Sequence, residues 1–314
     1  MNRKGEASSP RGSRFRFMEI IRNQRRRNLQ EWLLTSPSLL WLSAFFLVPT
    51  LLVFFLAFRP ADPYGGIGAG WTLNTLKALG HSYYLDIAWR TLWISLLTTA
   101  FCVLLAVPAG YALARASEKR RRLLLMLVIV PFWTSFLIRI FAWKSLLHPD
   151  GLVKKVLDAL GLTGPQTSLL YNAEAVLLVM VYTFLPFAIL PIYAAAEKFD
   201  FRLMEAARDL GARPFQAFRK VFLPGIQRGL MTAVLVVFIP ALGSYVIPDL
   251  VGGPSSEMIG NKIAQRVFVD RNLPHASALS VVLILAVLAP LLAILVLQRK
   301  RDKEKPEVIV QEDA

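Results

Sequence analysis

The sequence predicts an all-α polytopic membrane protein with six transmembrane helices, and three observations lead there. Of 314 residues, 55% are apolar and 18% charged, against about 45–50% and about 25% in soluble domains. Six mostly apolar stretches of about twenty residues can each cross a hydrocarbon core of roughly 30 Å as a helix. Lys and Arg crowd into alternate segments between them, the distribution that fixes orientation in a membrane.

The six spans are predicted at 39–58, 91–112, 123–143, 175–195, 230–251 and 276–297. They form one domain over 36–298, flanked by a basic segment, 1–35, and a tail, 299–314. The first 30 residues hold many arginines among Ser8, Ser9, Pro10 and Gly12 and have no apolar pattern long enough to fold. The expectation is a disordered cytoplasmic segment along the anionic leaflet. The first apolar run resembles a signal peptide, but it is too long and no small-residue cleavage site follows it, so it is expected to be retained. Residues 1–35, 114–122, 197–229 and the tail from Gln298 hold 26 of the 36 basic residues. Both termini and the second and fourth loops are therefore assigned to the cytoplasm. The formal charge of +15 follows from topology and excludes nucleic acid as the reason for it.

The chain has one cysteine, Cys102, which rules out an intramolecular disulfide and a cysteine metal cluster. His81, His148 and His275 lie far apart in outside segments. No Gly-rich phosphate loop, His-Glu-x-x-His pair or Gly-x-Ser-x-Gly elbow occurs. Prolines fall within several spans (Pro49, Pro108, Pro131, Pro186, Pro191, Pro240, Pro248, Pro290), each removing one backbone hydrogen bond. Neighbouring helices must then repair the ladder, which implies a packed bundle.

The fourth interspan loop, 200–228, reads as two short amphipathic helices. Asp200 is a candidate N-cap, and Leu203, Met204, Ala207 and Leu210 fall on one helical face. Gly211 can adopt the left-handed conformation that closes a helix, and Pro214 suits the first turn of the next. Phe215, Phe218, Val221 and Phe222 line the second helix, and Pro224 is expected to stop it. Two apolar stripes outside the membrane need a surface to bury them, either a partner protein or the bilayer interface.

Glu205, Ala206 and Ala207, then Gly211, Val221, Leu223 and Pro224, resemble the EAA loop of binding-protein-dependent ABC importer permeases. The family pattern is Glu-Ala-Ala, three residues, Gly, nine residues, Ile, one residue, Leu-Pro, and only Val221 departs from it. The resemblance runs from about the first span to the sixth. It implies a type I ABC importer permease fold in a bacterial inner membrane, with the loop as coupling element in a cleft of an ATPase subunit. Glu205 would hold the coupling helix in register, Gly211 would form its turn, and Leu223 and Pro224 would hand the loop to span five. The implied partners are a second permease subunit, two ATP-binding subunits and an extracytoplasmic solute-binding protein. No cofactor is implied in this chain, ATP being bound by the ATPase, and the chain itself would not be an enzyme.

Residues 131–143 (PFWTSFLIRIFAW), 185–187 (LPF), 243–253 (GSYVIPDLVGG) and 258–261 (MIGN) resemble most the permeases of spermidine and putrescine importers, the subunit named first of the pair. Permeases for iron(III), thiamine or phosphonates share parts of these stretches. A polycation calls for carboxylates and aromatic faces along its path. Asp249 beside Tyr245, Glu257, Glu174, Trp133, Trp143 and Tyr182 are the candidates. Arg139 is the one charge well inside a span, costly unless partnered. A structural or gating role is expected for it, with Asp249 or Glu257 as candidate partners. An ATP-independent secondary transporter or channel would suit six kinked helices equally but leaves the 200–228 loop unexplained. A membrane enzyme would need catalytic groups gathered at one depth.

Overall fold

A computed structural model describes residues 32–303 apart from 63, 64, 163, 165 and 166. The expectations for 1–31 and for 304–314 lie outside the described residues. Apart from one isolated bridge, Ala61 with Ile67, the described residues form helices and their connections.

The elements in chain order begin with α1, Trp32–Ala57, mostly apolar and widened by a π turn at Ser43–Leu47. Along it, Thr50 Oγ1 donates to the Phe46 carbonyl at 2.7 Å, so the hydroxyl needs no partner from lipid. The remaining chain starts with the short α2, Asn74–Ala78, and the 34-residue α3, Ser82–Arg115. Then come α4, Glu118–Trp133, α5, Phe136–Leu147, α6, Leu152–Ala159, and α7, Ala173–Glu197. The pair α8, Arg202–Asp209, and α9, Pro214–Gly225, precedes α10, Gln227–Leu242. The last three are α11, Val246–Val251, α12, Ile259–Phe268, and α13, Leu273–Lys303.

All six predicted spans fall on helix. Three of them, on α1, α3 and α7, are long and apolar enough to cross without interruption. The third and fifth differ from expectation. The third is broken at Thr134–Ser135, where the helix axis turns by 93° between α4 and the α5–α6 segment. Pro131 lacks the N–H that would continue the ladder. A 3-10 turn at Val130–Trp133 ends there, with Thr134 Oγ1 donating to the Pro131 carbonyl at 2.7 Å. The fifth, predicted as one helix over 230–251, stops at Leu242 and restarts at Val246. Pro248 takes the third position of the new helix, where its missing N–H is one that no helix would use.

A proline alone does not break a span. Pro108, Pro186, Pro191 and Pro240 lie within continuous helices.

The centre of the bundle is α3, α7 and α10 packed on one another. Its core joins Cys102 and Ala106 of α3, Val176, Met180, Ala188 and Ile192 of α7, and Ala233, Val237 and Ala241 of α10. Small residues set this packing, as expected where lipid supplies no hydrophobic drive and close backbone approach must hold helices together. A Cβ at Gly110 would stand 2.7 Å from Ile192 Cγ2 and 3.2 Å from the Tyr193 nitrogen. At Gly229 it would meet the Ala195 side chain and lie 2.8 Å from the Pro191 carbonyl oxygen.

Gly229→Val is therefore expected to destabilise the bundle by about 1–3 kcal/mol through overpacking. Thermal unfolding in detergent would show a lowered midpoint. Gly243→Ala, whose Cβ meets nothing nearer than 3.9 Å, should leave it unchanged.

Candidate functional site

Two sites emerge, one at each end of the bundle. The first is the loop 200–228. Phe201, not Asp200, is the N-cap of α8; Asp200 stands one residue before it, its Oδ1 accepting the Arg202 N–H at 3.0 Å because its side chain folds over the turn that enters the helix. At the other end of α8, Gly211 has φ +89° and open space around its Cα. Its N–H donates to the Arg208 carbonyl at 2.9 Å, and that of Ala212 to Ala207 at 3.0 Å. This is the left-handed helix end that a glycine permits without strain. Pro214 opens α9, and the Arg213 N–H is capped by Gln216 Oε1 at 3.0 Å.

Pro224 does not stop α9, contrary to expectation. The helix passes through a π turn at Phe218–Phe222 and runs on to Gly225. The wider turn ahead of Pro224 accommodates a residue that cannot donate to the α ladder. A bend of 71° then separates α9 from α10.

Half of the first apolar stripe and most of the second turn inward: Ala207, Phe218 and Val221 pack against the core. Met204 and Phe222 are buried, and Phe222 is the middle of a cluster of rings. Its centroid lies 5.0 Å from that of Tyr111 on α3, 5.3 Å from Phe199, 6.1 Å from Phe201 and 5.2 Å from Phe218. The contacts with Tyr111 and Phe199 are edge-to-face, a geometry the ring quadrupoles favour. Arg115 closes the cluster, 5.7 Å above the Tyr111 ring and 5.9 Å above Phe201, and donates to the Tyr111 hydroxyl at 2.8 Å. Gly225 lies against the Phe199 ring so closely that a Cβ would collide with it. The two loop helices are thus fixed to α3 and to the end of α7 by aromatic packing.

The rest of the stripes faces out. Leu210 is 90% exposed, Phe215 71% and Leu203 54%. Glu205 and Ala206 are exposed beside them, and Glu205 makes no ion pair with Arg208 among the described residues. Leu223 is half-buried and Pro224 exposed at the bend. The surface is apolar, carries Glu205 at its edge and rests on a rigid aromatic base.

The second site is a cavity of about 520 Å³ at the break between α10 and α11. Tyr245, Asp249 and Glu257, three of the predicted path residues, line it together with Asn261, Gln265 and Phe268. The break is held by a side chain: Asn261 Nδ2 donates to the Tyr245 carbonyl at 3.1 Å, and Asn261 Oδ1 accepts the Met258 N–H at 3.2 Å. The segment is also tied to the start of α3. The Tyr83 hydroxyl donates to Glu257 Oε2 at 3.0 Å, and Arg90 Nη1 to the Pro254 carbonyl at 3.3 Å. Buried Thr91 Oγ1 accepts the Ile259 N–H at 2.9 Å while donating to the Ile87 carbonyl at 2.7 Å.

Arg139 and Trp133 are not among the residues lining this cavity. Trp133 is 81% exposed at the end of α4. Arg139 does not find the partner expected for it. Its guanidinium lies 5.5 Å over the Phe132 ring, and its Nε has no hydrogen-bond partner among the described residues. Glu257 is engaged instead by Tyr83 and by Lys262 at 3.8 Å. The face of a ring offers an arginine a cation–π contact in place of a carboxylate. Glu174 opens α7 in its first turn, and Trp143 packs edge-on to Tyr182 at 5.3 Å. Neither Glu174 nor that pair joins the cavity.

Tyr83, Thr91 and Lys262 escaped the sequence reading. They belong to contacts 168 or 174 residues apart in the chain, or to a lysine with no local motif.

Comparison with known proteins gives concordant matches. Residues 103–303 match the family described as binding-protein-dependent transport system inner membrane component. The chain is 38% identical over 241 residues to the Haemophilus influenzae spermidine/putrescine transport system permease protein PotB, covering 77% of this chain and 84% of that one. It is 35% identical over 243 residues to the protein of the same name in Escherichia coli strain K12, covering 77% and 88%. Its fold matches a chain in the crystal structure of a bacterial ABC transporter involved in the import of the acidic polysaccharide alginate. The TM-score there is 0.69 at 18% identity, over 89% of this chain and 98% of the other.

Thr91→Val keeps the shape of the side chain but leaves the buried Ile259 N–H without its acceptor, at a cost of about 1–3 kcal/mol. Hydrogen exchange should quicken at the Ile259 amide while the amides of α7 keep their protection.

Proposed function

The chain belongs to the family of binding-protein-dependent transport system inner membrane components, and on that premise we propose that it is the permease subunit of an ATP-driven importer of aliphatic polyamines such as spermidine and putrescine. The observation that carries the cargo is the identity of 38% over most of both chains to a spermidine/putrescine permease. The cavity supports it, since Asp249, Glu257, Tyr245 and Phe268 offer carboxylates and ring faces, the groups that stabilise an ammonium in place of water.

In this reading both termini are cytoplasmic, the loop 200–228 faces the cytoplasm and the cavity faces the extracytoplasmic side. A second permease subunit completes the path, and a solute-binding protein delivers the cargo. Two ATP-binding subunits bind the nucleotide, so this chain needs no cofactor. Leu203, Leu210 and Phe215 with the Glu205 edge fill a cleft on one ATPase subunit. When ATP draws the two ATPase subunits together, α8 and α9 move with their subunit. Tyr111, Phe199, Phe201, Phe218 and Phe222 pass that displacement to α3 and α7, because a packed aromatic cluster shifts as a unit. Gly211 sets the angle between the two loop helices. Arg139, beside the break at Thr134–Ser135, and the exposed Trp133 gate the path from the other side.

The test is uptake of labelled spermidine and putrescine by cells that lack their own polyamine importers and express this chain with its partner subunits. Glu205→Lys is expected to lower ATP-dependent uptake about tenfold or more, the scale of an inter-site coupling of about 1–3 kcal/mol, with the complex still assembled. Unchanged uptake in Glu205→Lys would refute the coupling role. An assembled complex that carries neither amine would refute the cargo.

A further inference from the structure

Behind the carboxylate side of the cavity stands a cation that the chain supplies itself. The Lys262 side chain on α12 is only 10% exposed, whereas Glu257, its ionic partner, is 34% exposed and reaches the cavity. Lys262 Nζ lies 3.8 Å from Glu257 Oε2, 5.1 Å from the centre of the Tyr83 ring, and donates to Gln265 Oε1 at 2.8 Å. A carboxylate, an aromatic face and an amide oxygen are together what recognises a primary alkylammonium. A lysine side chain is such a group, an aliphatic stem ending in an ammonium.

The hold is electrostatic more than directional. At 3.8 Å the contact with Glu257 is too long for a hydrogen bond, and the one hydrogen bond that the Lys262 ammonium makes among the described residues goes to a neutral amide of its own helix. Asp249, in contrast, lies in the same cavity and forms no ion pair among the described residues. The cavity therefore presents two unequal carboxylates, Asp249 open and Glu257 already neutralised.

We infer that Lys262 is a tethered surrogate ammonium: it occupies the Glu257–Tyr83 subsite until an aliphatic di- or polyamine, anchored by one ammonium at Asp249, brings a second ammonium that displaces it. This rests on the polyamine reading of the cavity. A tethered competitor acts at a high effective concentration, so it excludes from the Glu257 subsite any ligand that gains only that one contact. A monoamine must compete with Lys262 at Glu257 or stop at Asp249. A diamine bound at Asp249 is itself tethered and competes on equal terms. Lys262 thereby sets a preference for amines with two or more charges.

The test is equilibrium binding of labelled spermidine, with propylammonium as monoamine competitor, to the purified permease–ATPase complex in lipid nanodiscs. Lys262→Met keeps the stem and removes the ammonium. It should bind spermidine about tenfold tighter and gain measurable affinity for propylammonium, as removal of a tethered competitor requires. Adding Glu257→Gln to that variant should abolish the gain. Spermidine should also raise the reactivity of Lys262 in the wild-type complex toward an amine-acylating reagent, because displacement moves Nζ into water. Unchanged or weaker spermidine binding by an assembled Lys262→Met complex would overturn the inference. If that variant does not assemble, Gln265→Leu, which loosens the lysine and keeps its charge, must tighten binding in the same direction, and no change would overturn the inference equally. Failure of the polyamine reading is distinguishable, since the wild-type transporter would then take up no spermidine. Wild-type uptake with no effect of Lys262→Met would count against Lys262 alone.

Discussion

A bilayer interior offers no water to backbone groups, and that constraint governs where this chain can depart from helix. The departures at Thr134–Ser135 and at 243–245 need polar partners from the protein itself. At the first, the Thr134 hydroxyl satisfies the Pro131 carbonyl. At the second, Asn261 reaches back to the Tyr245 carbonyl, while Gly260 lets the Ser244 carbonyl approach where a Cβ would lie 2.5 Å from its oxygen. The cavity exists because the second break is repaired from the side. An unbroken span would have left Asp249 and Tyr245 on a continuous helix, with no hollow between them and α12. The ties from Tyr83, Arg90 and Thr91 then hold the 254–259 segment to the start of α3.

The other end of α3 answers to a different requirement. Two short helices outside the central bundle cannot be stable on propensity alone, since nucleation costs more than so few hydrogen bonds return. Burial of Met204 and Phe222 and the ring contacts around Tyr111 supply what is missing. That arrangement consumes most of the two apolar stripes and leaves Leu203, Leu210 and Phe215 facing out. α3 therefore joins the ring cluster at Tyr111 to Glu257 of the cavity lining, which Tyr83 hydrogen-bonds, and it is continuous between them. This continuous helix of 34 residues, about 50 Å long at the usual rise, spans the distance from one to the other.

Local features were the ones legible in the sequence. The helix pair in 200–228, the left-handed Gly211 and the opening Pro214 come from residue types at fixed offsets, and the structure has each of them. The spans come from apolar length. Their breaks were not legible, because Pro108, Pro186, Pro191 and Pro240 sit in continuous helices while Pro131 ends one. The partner that satisfies the freed carbonyl makes the difference: Thr134, next to the first break, takes that of Pro131, whereas Asn261, on another helix, takes that of Tyr245 at the second. Partners across the fold were not legible at all. Arg139 finds its ring, Phe132, close by in the chain but across the Thr134–Ser135 break, which the apolar pattern did not show, and nothing near Glu257 points to Tyr83. The first depends on how the break turns one segment back on the other, the second on how helices far apart in sequence are brought together.

The coupling role of the 200–228 loop requires that the outward apolar face of α8 and α9 be covered by an ATPase subunit. Cys102 is buried, so a thiol-directed, environment-sensitive fluorophore can be placed at Leu210→Cys alone, with Leu160→Cys just after α6 as the control. Emission is measured from the permease pair in nanodiscs before and after the ATPase subunits are added. The expected result is a blue shift and loss of quenching by aqueous iodide at position 210, with no change at position 160. A label at 210 that stays fully quenchable in a complex shown to contain the ATPase subunits would contradict that coverage, and with it the coupling role of the loop.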